Sequence, residues 1–145
     1  DTLEGGTGDD SIGGGEGDDV IDGGAGDDFL AGGGRDDVIM GGAGNDTING
    51  GDGDDTMTGG EGADVFVYNF FKDGDADVIT DFEDGLDTFR MIGIENAPGS
   101  GLQGYLAALD IADTAEGALM SYQGHGILVE DVAAADLGQD DFIFI

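Results

Sequence analysis

Between Gly5 and Val67 the chain repeats one nine-residue pattern of polar and apolar positions seven times. The copies are GGTGDDSIG, GGEGDDVID, GGAGDDFLA, GGGRDDVIM, GGAGNDTIN, GGDGDDTMT and GGEGADVFV, beginning at Gly5, Gly14, Gly23, Gly32, Gly41, Gly50 and Gly59. Glycine holds places one, two and four, aspartate place six, and a large apolar residue place eight. Glycine adopts positive φ without penalty, so the first six places predict a sharp turn. The last three set a β-prone residue beside an apolar one, which predicts a very short strand with alternate side chains on opposite faces.

Two such units make one coil of about eighteen residues, whose strands stack in parallel at roughly 4.8 Å. The expected architecture is all-β, a right-handed parallel roll over residues 1–67. Its core would hold two facing rows, Leu3, Ile21, Ile39 and Met57 on one sheet and Ile12, Leu30, Ile48 and Phe66 on the other. Outward places seven and nine carry Val20, Val38 and Met40 on one sheet and Phe29, Ala31, Val65 and Val67 on the other. Such a row of apolar residues predicts cover from the second half of the chain.

After Val67 the pattern stops, and 22 of the 32 glycines lie before that point. Residues 68–145 predict a smaller β-rich C-terminal region with one helix. Tyr68 to Ala76 is a transition, with Phe70 and Phe71 packing over the open end of the roll. Asp77 to Phe82 alternates as a strand, Glu83 to Gly85 turns, and Asp87 to Ile92 is its partner strand. Glu95 to Gly101, with the single proline, is a loop. Leu102, Tyr105, Leu106 and Leu109 stand at helical spacing and predict a helix from Leu102 to Ala112. Ala118–Gln123 and Gly126–Glu130 predict a hairpin around Gly124-His125-Gly126. Val132–Leu137 suggests a short helical turn, and Asp141–Ile145 a last strand.

Charge sharpens this picture. Three basic residues face 34 acidic ones, a net charge of −31. Nucleic acid and anionic membrane surfaces both require basic patches and are disfavoured as partners. No apolar run is long enough for stable membrane insertion. Cysteine is absent, so nothing here forms a disulfide framework.

The acidic loops instead suit a hard cation. Calcium accepts six to eight oxygen ligands, backbone carbonyls and carboxylates included. Loops one coil apart lie on the same side of the roll. Ions are therefore expected between Asp10 and Asp28, Asp19 and Asp37, Asp28 and Asp46, Asp37 and Asp55, and Asp46 and Asp64, five complete sites. The place-five residues Asp9, Asp18, Asp27, Asp36 and Asp54 are expected to point away from the ions and only to raise local cation concentration. Arg35 replaces glycine at place four. It is expected either to adopt a strained conformation or to distort its loop, with its side chain among neighbouring carboxylates. Eight core side chains form too thin an interior to order a glycine-rich ribbon of like charges. Metal binding and folding are thus expected to be one event.

The nonapeptide resembles the RTX, or hemolysin-type, calcium-binding repeat of parallel β-rolls. Val78-Ile79-Thr80-Asp81-Phe82, followed by Gly85, Asp87 and Phe89, is similar to the segment closing the roll in serralysin-type proteases. Asp141-Phe142-Ile143-Phe144-Ile145 resembles their acidic-then-apolar C-terminus. The resemblance implies a secreted, extracellular protein exported by type I secretion machinery through an uncleaved C-terminal signal and folded by calcium outside the cell.

It also implies a ligand set of place-six aspartates with carbonyls of the glycine turns. These are Gly6, Gly8 and Asp10; Gly15, Gly17 and Asp19; Gly24, Gly26 and Asp28; Gly33 and Asp37; Gly42, Gly44 and Asp46; Gly51, Gly53 and Asp55; and Gly60, Gly62 and Asp64. Asp1-Thr2-Leu3-Glu4 fits places six to nine of a further copy, so the chain is expected to be a piece of a longer protein, and a monomer.

A catalytic role is not expected. The family's zinc site needs an HExxH motif, which is missing, and His125 is the single histidine. Its glycine neighbours assign it to a hairpin tip. The alternative reading, from related rolls that accompany polysaccharide-modifying enzymes, is a polysaccharide-binding module.

Overall fold

The computed structural model describes residues 1–69, 71–94 and 101–145, the side chains of 101–103 excepted. Phe70 and the predicted loop around Pro98 lie outside the described residues. The seven repeats and the four residues before them form eight strands: β1 (Thr2–Thr7), β2 (Ser11–Glu16), β3 (Val20–Ala25), β4 (Phe29–Gly34), β5 (Val38–Ala43), β6 (Thr47–Asp52), β7 (Thr56–Glu61) and β8 (Val65–Tyr68). Odd strands pair in parallel in one sheet and even strands in the other. The eighteen-residue register holds throughout, Leu3 beside Ile21 beside Ile39 beside Met57, and Ile12 beside Leu30 beside Ile48 beside Phe66. Six of these eight side chains are buried, while Leu3 and Ile12 in the outermost strands are half-buried. A β-roll follows because only the place-eight side chain of each short strand turns inward.

Both sheets run on beyond residue 68. Strand β9 (Ala76–Ile79) adds in parallel to β7, and β10 (Thr88–Met91) adds in parallel to β8. The segments predicted to be partner strands are thus in different sheets. Each forms half of one more coil, Ile79 stacking beside Met57 and Phe89 beside Phe66. Backbone ladders already presented by β7 and β8 outcompete a local hairpin. Helix α1 (Gly101–Ala108) stops four residues before the predicted end. Asp110–Asp113 is instead β11, antiparallel to β12 (Gly117–Tyr122), where Ile111 meets Met120. The hairpin of β12 and β13 (His125–Glu130) forms as expected, and β13 joins β9 in parallel. A 3₁₀ turn (Gln139–Asp141) leads into β14 (Phe142–Phe144), the edge strand beside β10. Val132–Leu137 contains one short turn, closed by the Asp136 N–H on the Ala133 carbonyl at 2.9 Å.

The end of the roll is filled by rings. Phe82 stacks on Phe89 at 4.5 Å, Phe89 on Phe142 at 5.3 Å, Phe142 on Phe144 at 5.6 Å, and Phe144 on Tyr105 of the helix at 4.9 Å. Phe71 packs edge-on against Tyr122 at 5.0 Å and stacks with Tyr68. The outer faces of the first coils stay uncovered. Val20, Phe29, Val38 and Met40 are 37 to 51 % exposed, contrary to the expected cover, because residues 68–145 extend the roll along its axis.

Candidate metal sites

The three glycines of each repeat meet different steric demands. At place two Gly6, Gly15, Gly24, Gly33, Gly42, Gly51 and Gly60 all have φ between 100° and 118°. At place four Gly8, Gly17, Gly26, Gly44, Gly53 and Gly62 have φ between 101° and 136°. Arg35 holds the same place with φ 80°, so it keeps the left-handed region of the frame, but among the described residues its N–H does not make the bond to the next coil that Gly8, Gly17, Gly26 and Gly44 make. Its side chain is exposed, and among the described residues no carboxylate forms an ion pair with it, which corrects the expected tether. Place one needs room instead of positive φ. A Cβ on Gly5 would stand 2.5 Å from the Gly23 carbonyl oxygen and 2.7 Å from Oδ2 of Asp10.

The place-six aspartates form two columns. On one side the Asp10 N–H donates to Oδ1 of Asp28, Asp28 to Asp46, and Asp46 to Asp64, each at 2.8 Å. On the other, Asp19 donates to Asp37 at 2.8 Å and Asp37 to Asp55 at 2.9 Å. Asp28, Asp37, Asp46, Asp55 and Asp64 thus each spend one oxygen on the coil below. The second oxygen, Oδ2 of Asp10, Asp19, Asp28, Asp37, Asp46, Asp55 and Asp64, is buried without a hydrogen-bond partner. Beside Asp10, Asp19, Asp28, Asp37 and Asp46 lies the place-one carbonyl of the next coil on that side, from Gly23, Gly32, Gly41, Gly50 and Gly59. These are the lower aspartates of the five pairs the sequence predicts.

The electrostatics of the columns favour a positive charge beside them. Burial raises the carboxyls of Asp37 and Asp46 above the usual range, against the backbone donor that lowers them, and stacked carboxylates add to the rise. Burial likewise pushes Asp55 up to about 7 and Asp64 to about 6, with Asp77 and Asp87 respectively adding charge. A buried acceptor with no donor costs about 1 to 3 kcal/mol. Seven of them in one small roll favour an electropositive partner. Among the described residues no three of the histidine and acidic side chains converge on one point, so each candidate site joins carboxylate to backbone carbonyl. That all-oxygen set fits calcium.

Two features escaped the sequence reading. Place five is structural: Oδ1 of Asp9 accepts the Asp27 N–H at 3.0 Å, Oδ1 of Asp27 accepts Asn45 at 2.8 Å, and Oδ1 of Asn45 accepts Ala63 at 2.9 Å. On the opposite side Asp36 accepts Asp54 at 3.1 Å and Asp54 accepts Ala76 at 2.9 Å. This ladder runs in the opposite sense to that of place six, and it explains why asparagine substitutes at Asn45. The columns also continue past the repeats, since Asp77 Oδ1 accepts the Asp55 N–H at 3.0 Å and Asp87 Oδ1 accepts the Asp64 N–H at 2.9 Å. The signal was present in Asp77-Val-Ile and Asp87-Thr-Phe, which keep places six to eight without the glycines.

His125 is corrected too. It is the first residue of β13, 1 % exposed, with Nε2 2.9 Å from Oδ2 of Asp77. The turn consists of Gln123 and Gly124 alone, φ 51° and 86°. Burial lowers the imidazole, but the hydrogen bond to Asp77 and the charges of Asp77, Asp75 and Asp55 outweigh it and leave its pKa raised.

Comparison with known proteins agrees with this geometry. The RTX calcium-binding nonapeptide repeat matches residues 1–30 and 31–66, with four copies to the signature. No curated protein matches by sequence. Among solved structures, the AlgE6R3 subunit of the Azotobacter vinelandii mannuronan C5-epimerase is similar at 26 % identity and TM-score 0.52, over 96 % of this chain and 79 % of that one. The AlgE6R2 subunit of the same enzyme is similar at 25 % identity and TM-score 0.56, over 99 % and 87 %. The extracellular lipase LipA from Serratia marcescens shares the fold at 16 % identity and TM-score 0.51, this chain spanning 38 % of its length. RTX repeats bind calcium, and the module they form is structural rather than catalytic by itself. Residues 1–66 thus carry the RTX calcium-binding repeat, and their β-roll with its buried aspartate columns agrees with that match.

Proposed function

We propose that this chain is the calcium-driven folding module of a larger extracellular protein, exported by type I secretion machinery with the C-terminal residues as its signal. Five ions bind, between Asp10 and Asp28, Asp19 and Asp37, Asp28 and Asp46, Asp37 and Asp55, and Asp46 and Asp64. The observation that carries this reading is the set of buried, partnerless Oδ2 atoms, five of them beside a carbonyl of the next coil. The ligands are the aspartate Oδ2 atoms together with carbonyls of the glycine turns. Calcium would supply the positive charge that lets stacked carboxylates stay ionised in the interior.

Export in an unfolded state suits this chemistry. A chain of net charge −31 repels itself and has few basic groups to close on. Folding is then deferred until calcium is met. The likeness to the roll of an extracellular lipase supports the location by fold alone.

Circular dichroism during a calcium titration tests the reading. A coil spectrum in chelator, a cooperative gain of β signal with calcium and little response to magnesium are expected. An unchanged β spectrum in chelator would contradict it. For export, a passenger fused ahead of residues 1–145 is expected in the medium of cells carrying a type I exporter, and removal of Asp141–Ile145 is expected to retain it inside.

A further inference from the structure

The aspartate columns do not simply run out; each ends on a carboxylate whose second oxygen a protein group takes. In the coils below, Oδ1 of the place-six aspartate accepts an N–H and Oδ2 is left without a partner. At Asp77 the first half of this arrangement is kept, with the Asp55 N–H on Oδ1 at 3.0 Å, but Oδ2 lies 2.9 Å from His125 Nε2. At Asp87 the Asp64 N–H is on Oδ1 and the Glu83 N–H donates to Oδ2 at 2.8 Å. Both terminal carboxylates are at most 3 % exposed, so each needs these donors.

We propose that His125 stands in for a metal ion at the end of the Asp19, Asp37 and Asp55 column, so that Asp77 continues the ladder without being a calcium ligand. The assignment rests on the calcium reading above. A buried carboxylate needs either a metal or an N–H donor on its free oxygen. The hairpin of β12 and β13 delivers that donor. Gly126 N–H binds the Asp75 carbonyl at 2.9 Å and Gly74 N–H binds the Gly124 carbonyl at 3.2 Å, which fixes the hairpin turn on the last coil. Tyr68 and Phe71 then meet the imidazole edge-on at 5.8 and 5.9 Å and fill the space around it. His125 therefore sets where metal loading stops. Asp77-Val-Ile keeps the order of Asp55-Thr-Met and takes the Asp55 N–H, yet Asp77 holds no sixth site.

Counting calcium by equilibrium dialysis on the 145-residue chain tests this. Asp77→Asn keeps an oxygen for the Asp55 N–H and is expected to bind as many ions as the unaltered chain, whereas Asp55→Asn is expected to bind one fewer. Loss of an ion in Asp77→Asn would overturn the assignment while leaving the calcium reading intact. Absence of calcium uptake by the unaltered chain would overturn both. Should Asp77→Asn fail to fold, ¹⁵N spectra of the His125 ring in the calcium-saturated unaltered chain decide. A slowly exchanging Nε2 proton is expected, and an Nε2 that carries no such proton would overturn the proposal.

Discussion

Gly23 and Gly13 show how differently one residue type is used within a repeat. A Cβ on Gly23 would stand 2.5 Å from Oδ2 of Asp28 and 2.6 Å from the Gly41 carbonyl, in the space a cation would share. A Cβ on Gly13 meets nothing within 4 Å. Gly23→Ala is therefore expected to destabilise the calcium-loaded form by about 1 to 3 kcal/mol and to raise the calcium needed for folding. Gly13→Ala leaves both unchanged, as thermal melts at fixed calcium would show. At Arg35 the sign reverses. Its φ of 80° is strained for a residue with a Cβ, so Arg35→Gly is expected to stabilise the folded form by up to about 1 to 2 kcal/mol. Equal melting temperatures for the two chains would mean that the loop relaxes elsewhere. Place-six aspartate was legible as the residue whose carboxylate turns inward because it recurs against glycine. Place five was not, because an oxygen that accepts a backbone N–H and one that merely faces water occupy the same position in a one-dimensional pattern.

Strands show where periodicity carries a prediction and where it stops. Ile21, Ile39 and Met57 are spaced by eighteen residues, and that constancy made the register of β3, β5 and β7 readable. From Met57 to Ile79 the spacing becomes twenty-two, and from Phe66 to Phe89 twenty-three. The last coil was therefore mistaken for a local hairpin, although its ladders are those of the roll. The helix was overrun for a related reason. Leu109 is buried at helical spacing after Leu106, but the residues that follow find edge partners in β12. His125 was misplaced because both glycine neighbours signalled a turn, and only Gly124 has positive φ, while Gly126 pairs with Ser121. Among these elements the ring stack bears most of the closure. Phe89 touches Phe66, Phe82 and Phe142. Phe89→Ala is expected to cost about 3 to 5 kcal/mol. It should release β14 first, seen as early loss of amide protection at Ile145, whose N–H binds the Met91 carbonyl. Uniform loss across all strands would instead show that roll and end unfold as one unit.

The whole molecule is a balance of carboxylates against cations, and protons are cations too. Asp55 and Asp64 titrate from an ordinary 3.8 to about 7 and about 6 in the folded chain. Between those values the folded form holds more protons than the unfolded one, so this stabilising contribution is complete below pH 3.8 and is lost as pH rises through 6 to 7. The calcium-free chain is thus expected to gain β structure when pH is lowered from 8 to 5, whereas calcium affinity falls over the same range. Loss of residual structure on acidification would contradict it. The central claim is that cations hold successive coils together, and amide hydrogen exchange tests it most directly. The N–H groups of Asp10, Asp19, Asp28, Asp37 and Asp46 should exchange freely in chelator at pH 7.5 and become protected together once calcium is added. Protection of those amides in chelator, equal to that with calcium, would contradict the account.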